Sequence, residues 1–114
     1  MKDDRVYLRH ILRCISRIEE YLAGDSSVFA SSHLVQDAVL RNIQTMAEST
    51  QRLSPAAKGR HPDVEWAALA GLRNVLVHDY LGIDIAQVKR ALEMDMPRLK
   101  AACAGILEEL EKMG

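Results

Sequence analysis

The chain has 114 residues, 48% of them hydrophobic and 27% charged, and a formal net charge of −1. That length supports one modest core, so a single domain over residues 1–114 is expected and a second is excluded. One Phe, one Trp and three Tyr among many aliphatic residues disfavour a β-sandwich, and the near-neutral charge leaves only a local patch for nucleic acid.

The opening "MKDDRVYLRH" is too charged for a signal peptide, and no apolar run approaches the ~18–20 residues of a membrane span. A cytoplasmic protein without membrane contact is expected. After the caps Asp3 and Asp4, Leu8, Ile11, Leu12, Ile15, Ile18 and Leu22 recur at helical spacing, and Gly24 can close this first helix. Arg5, Arg9, Arg13 and Arg17 form a basic ridge off its apolar face. The ridge reads either as a solvated surface or as a contact for RNA or a protein partner, which Lys58, Arg60 and His61 would extend. No aromatic ladder accompanies it, so base stacking lacks support.

"GDSSVFASSH" reads as loop and supplies Ser31 or Ser32 as N-cap of a second helix. That helix turns Val35, Ala38, Val39, Ile43, Met46 and Ala47 inward and runs to about Leu53. "SPAAKGRHPD" is a connector with room for one short turn. The third helix follows Pro62, with the stripe Trp66, Leu69, Ala70, Arg73, Leu76, Val77 and Tyr80. Asp84 can cap a fourth helix carrying Ile85, Val88, Ala91 and Leu92. Pro97 interrupts it, and Leu99, Ala102, Cys103, Ile106, Leu107 and Leu110 form a fifth helix or a kinked continuation. The whole is an all-α, antiparallel four- to five-helix bundle.

Cys14 and Cys103 lie in apolar stripes, where reduced buried thiols are expected instead of a disulfide. The cysteines and the histidines His10, His33, His61 and His78 lack paired zinc-ligand spacings, so neither metal nor cofactor is expected.

The anomaly is Arg73, which the third stripe needs for continuity. A guanidinium in an apolar row is costly unless it is paired or opens on a wet cleft. An internal partner, Glu48 or Asp37, would satisfy it; so would a phosphate, which matches its planar fork. His78 reads as a satisfied core histidine or as a proton carrier. Asn74 shares its face and could fix its tautomer. Arg73 projects about 140° away from His78 on an ideal helix. Both can address one small group only if the helix ends or distorts between them, or if a second copy completes the site. We take the second copy: RNA cleavage without metal needs a base, an acid and a cation, and two facing motifs would supply two histidines and two arginines.

"RNVLVHDY", an Arg-x4-His-x-Tyr pattern at residues 73–80, resembles the HEPN superfamily, and within it the HepT-type toxin ribonucleases. The resemblance extends over "YLRHILRCISRIEEYLAG", "VQDAVLRNIQTMAEST", "HPDVEWAALAGLRNVLVHDYLGID" and "MPRLKAAC". It implies a homodimeric bundle whose paired motifs line a cleft and cleave RNA without metal, as the toxin of a type II or type VII-like toxin–antitoxin system. Arg73 and His78 would be catalytic and Asn74 an adjoining orienter. The implied partner is a minimal nucleotidyltransferase antitoxin that adenylylates the motif tyrosine, here Tyr80, whose ring otherwise reads as packing. Two readings stand beside it: a non-catalytic nucleotide- or partner-binding subunit of a two-component nucleotidyltransferase, and a structural bundle with Arg73 paired internally.

Overall fold

The computed structural model describes residues 3–113. The described residues form seven α-helices: α1 (Asp4–Leu22), α2 (Ser27–Ser31), α3 (His33–Arg52), α4 (Pro55–Gly59), α5 (Trp66–His78), α6 (Ile85–Met94) and α7 (Met96–Met113). A 3-10 turn, Tyr80–Gly82, joins α5 to α6, and the described residues contain no strand.

Helix α3 is the central element, with α1 packed on one flank and α5 on another. Helix α7 lies against α1, and α2 bridges α3 and α6. Across the α1–α3 seam, His10 meets Ser49 and Cys14 meets Thr45, which fixes an antiparallel register. Across the α3–α5 seam, Glu48 meets Arg73 and Asp37 meets Tyr80, again antiparallel.

The core has two parts. Leu8, Ile11, Ile15, Met46, Leu99 and Ile106 anchor one; Ile18, Phe29, Val39, Leu40, Ile43 and Leu76 anchor the other. Both stripes of α1 and α3 lie where their spacing puts them. The caps divide the work differently from the simplest reading. Asp3 alone caps α1, accepting the Arg5 N–H at 2.8 Å. The Asp4 carboxylate instead accepts the Ser54 N–H at 2.9 Å and the Ser54 hydroxyl at 2.7 Å, so it ties the start of α1 to the start of α4. Ala23, with φ of 51°, takes the left-handed position that closes α1, and Gly24 follows it at φ of 81°. Ser32 is the cap of α3 and Asp84 that of α6.

The stretch read as loop before α3 holds a helix. Residues Ser27–Ser31 form α2 because Phe29, with none of its surface exposed, plugs the second core cluster. Five residues give no periodicity to detect, and one aromatic anchor decides their shape. After α6 the chain starts a separate helix: only Asp95 stands between α6 and α7, and Pro97 occupies the first turn of α7, where no intrahelical N–H is needed.

Helix α5 departs most from its expected place. Its residues look like core, yet only Leu76 is buried, while Val77 and Tyr80 are exposed and Leu81 is 99% exposed. An apolar cavity of about 90 Å³, lined by Ile43, Met46, Leu69, Leu72, Leu92 and Leu99, separates α5 from α6 and α7.

Cys14 and Cys103 are free and buried, and burial pushes the Cys103 thiol up to about 12. Among the described residues, no helix is long and apolar enough to cross a membrane. Phe29→Ala should cost about 3–5 kcal/mol by emptying the second cluster, read as a lowered midpoint in urea unfolding with α-helical circular dichroism as the signal.

Candidate active site at the end of helix α5

Arg73 faces α3 from the middle of α5. Its side chain keeps 29% of its surface exposed, and Nε lies 3.6 Å from Glu48 Oε1. That distance holds an ion pair but is too long for a hydrogen bond, and Nε is buried without a hydrogen-bonding partner. The outer end of the fork is engaged differently: Nη1 donates to Asn74 Oδ1 at 3.2 Å. Glu48 also accepts a bond from Gln44 Nε2 at 3.4 Å. Arg73 is thus aimed by two neighbours while one of its N–H groups stays unused.

Glu48, and not Asp37, supplies the internal counter-charge expected for Arg73, and 29% of the arginine side chain stays exposed. Asp37 is committed elsewhere, accepting the Tyr80 hydroxyl at 3.4 Å. Partial burial, the Asp37 charge and that hydrogen bond together raise the Tyr80 phenol above its ordinary 10.0.

His78 is the last residue of α5 and is exposed. Beyond it Asp79 leaves helical geometry at φ −146° and ψ 58°, and its N–H still bonds Val75 O at 2.9 Å. The helix is thus unbroken from Arg73 to His78, so the separation of about 140° between the two side chains holds within one chain, and the backbone turns only after the histidine. The Asp79 carboxylate lies against Gly82, where a Cβ would require that side chain to swing aside. The expected Asn74–His78 bond is absent from the described contacts. Asn74 orients the arginine instead, because its amide is taken by the adjacent guanidinium.

A second polar group lies behind Glu48, and sequence spacing alone did not single it out. His10 Nδ1 is 2.6 Å from Ser49 Oγ, and Nε2 is 3.5 Å from Cys14 Sγ. Burial holds the His10 imidazole below its ordinary 6.5, reinforced by the charges of Arg13 and Arg17 and opposed by Glu48. The available signal was His10 one turn before Cys14, at the margin of the first stripe. Among the described residues, no group of three or more His, Cys, Asp or Glu side chains is placed to hold a metal ion.

The bundle thus carries Arg73 in the middle of α5 and His78 at its end. Residues 11–106 match the family described as "Ribonuclease HepT-like". A protein of Methanocaldococcus jannaschii named "Gamma-glutamylcyclotransferase and putative RNase" is 34% identical over 112 residues, 97% of this chain and 50% of that protein. The chain thus spans half the length of that relative. A "Probable ribonuclease HepT" of Thermococcus cleftensis is 30% identical over 107 residues, covering 93% of this chain and 94% of the relative. No solved structure matches. The chain belongs to the HepT-like ribonuclease family, within the HEPN superfamily.

The His10 environment carries a pH consequence. An unfolded chain protonates this histidine near 6.5, whereas the folded chain does so only at lower pH, so the unfolded state binds more protons in between. Stability should therefore fall as pH drops below 6.5 toward the depressed folded value. Urea unfolding at a series of pH values between about 7 and 5 should show this fall, and His10→Asn should flatten it.

Proposed function

We propose that the chain is a metal-independent endoribonuclease toxin whose site is completed by a second copy of itself. The observation that carries this reading is the Arg73 guanidinium: mostly covered, aimed by Glu48 and Asn74, still 29% exposed, and five residues before an exposed His78. A cation held in place before substrate arrives needs little rearrangement to receive a phosphate, and a half-dry site strengthens the attraction.

In the reaction, a base takes the proton of the 2′-hydroxyl, and the 2′-oxygen forms a bond to phosphorus. The bond from phosphorus to the 5′-oxygen breaks, and an acid delivers a proton to that leaving oxygen. The products are a 2′,3′-cyclic phosphate and a free 5′-hydroxyl. One His78 cannot be base and acid in the same displacement; His78 from each of two protomers can. Arg73 from each neutralises charge on the crowded phosphorus. The outward apolar surface of α5 and its turn, with Val77 and Leu81 exposed, supports pairing there, since an uncovered apolar patch favours association.

Tyr80 is the control point in this reading. Its hydroxyl stands at the surface beside Asp37, where a nucleotidyltransferase antitoxin reaches it. An AMP added there brings negative charge and bulk to the α3–α5 seam on which Arg73 lies, competing with the RNA phosphate for access to it.

In EDTA, the purified protein should cleave RNA to products with cyclic phosphate ends. Arg73→Ala and His78→Ala should each lower the rate by at least about 100-fold without a matching loss of thermal stability. Cleavage that needs added metal, or that survives both substitutions, rules the mechanism out. With ATP and a partner nucleotidyltransferase, mass spectrometry should find one AMP on Tyr80, and Tyr80→Phe should carry none.

A further inference from the structure

Among the described residues, Arg13 and Arg17 on α1 and Arg41 and Arg52 on α3 are exposed and lie in no ion pair. Of the described residues, Lys58, Arg90 and Arg98 are also outside any ion pair but lie on α4, α6 and α7, while several other cations are matched. Arg5 bonds Asp3, Arg9 faces Glu111, Arg60 bonds Glu109 and Lys100 bonds Glu19. The four-arginine ridge of the first helix is thus split: its first half is neutralised and its second half is open. Arg60 and His61, expected to extend it, are engaged with Glu109 and Asp63.

The open arginines share one face. Arg13 and Arg17 lie three and seven residues after His10, on the side of α1 that His10 presents to Ser49 of α3. His10 opposite Ser49 and Cys14 opposite Thr45 set the register there, and one further turn brings Arg17 beside Arg41. On α3, Asp37, Arg41, Gln44, Glu48 and Arg52 follow at three- and four-residue steps, one row along the helix. The carboxylates of that row are occupied, Asp37 by Tyr80 and Glu48 by Arg73 and Gln44. Glu20, next along α1, makes no ion pair with Arg17. Arg41 therefore stands uncompensated, roughly 10 Å along the helix axis from Glu48, the residue that aims Arg73.

We infer that Arg13, Arg17 and Arg41 form a phosphate-binding track that seats single-stranded RNA across the α1–α3 groove and leads it to Arg73. The inference rests on the ribonuclease reading. A row of open guanidiniums suits a polymer with one charge per nucleotide, and its end at Arg73 gives the row a direction. Tyr21, one turn beyond Arg17 and partly exposed, adds one ring on which a base can stack. Phosphate contacts of this kind position a strand without reading its sequence.

The test uses the full chain carrying His78→Ala, which leaves the track intact, and fluorescein-labelled 20-nucleotide oligouridylate. Binding is titrated between 50 and 200 mM KCl. Each single-strand phosphate contact contributes about 0.7 to the slope of log affinity against log salt, so replacing Arg13, Arg17 and Arg41 by Gln should lower the slope by about 2. The parent's affinity should then drop roughly 20-fold more than the triple variant's across that salt range. Arg90→Gln with Arg98→Gln, a charge change on α6 and α7, should leave the slope unaltered. With His78 restored, the triple variant should show a raised KM and a retained kcat.

An unchanged slope in the triple variant overturns the track, as does an equal loss in the Arg90 and Arg98 control. A triple variant that keeps oligouridylate but loses affinity for polyglutamate assigns the face to an acidic protein and overturns it too. If the slope is unchanged while His78→Ala still abolishes cleavage, the track falls and the ribonuclease reading stands. If the parent binds no oligouridylate, both fall.

Discussion

Where α5 crosses α3, the guanidinium of Arg73 is brought against the carboxylate of Glu48 at 3.6 Å. A charge that is largely withdrawn from water must be compensated, and compensation here is incomplete because Nε has no hydrogen bond. Local structure follows from that constraint. The pair, together with Asp37 and Tyr80, sets how α5 lies on α3, and Asn74 is drawn away from His78 to serve the same arginine. Glu48 also bears on His10, so α1 feels the same carboxylate. One electrostatic junction thus links the three helices that carry the site's polar side chains.

Packing explains why the junction is accessible. Helix α5 is apolar on most of its circumference but buries only Leu76, and a cavity of about 90 Å³ separates it from α6 and α7. A helix of that composition is stable at a surface only if something else covers part of it or if the exposed area is tolerated at a cost. The turn after it is closed by backbone bonds, from the Gly82 N–H to Asp79 O at 2.9 Å and from the Ile83 N–H to Tyr80 O at 3.3 Å. The end of α5 is therefore defined in shape while its outer face is left uncovered.

Much of this was readable from residue spacing. The stripes of α1 and α3, the caps Ser32 and Asp84 and the break before α7 follow from local rules that burial then confirms. Arg73 stood out because it fell within an apolar row, and Glu48 was one of the acidic residues on the preceding long helix that could meet it. Other features depended on tertiary context. Five residues around Phe29 carry no period; the choice between Glu48 and Asp37 is a matter of interhelical register; and His10 acquires its importance from Ser49, 39 positions away. The stripe of α5 misled about burial because periodicity reports which residues share a face, not whether a neighbour covers that face.

The two thiols have a use outside the site. Cys14 and Cys103 are 1% and 0% exposed, and with Cys103 at about 12 almost none of it is thiolate at neutral pH. Maleimide dyes and spin labels react with accessible thiolates, so the native chain is close to silent toward them. A single cysteine introduced at Leu34, which is 82% exposed, would carry the label in an otherwise unaltered background. Distances between protomers then become measurable by resonance energy transfer without first stripping the core of its sulfur.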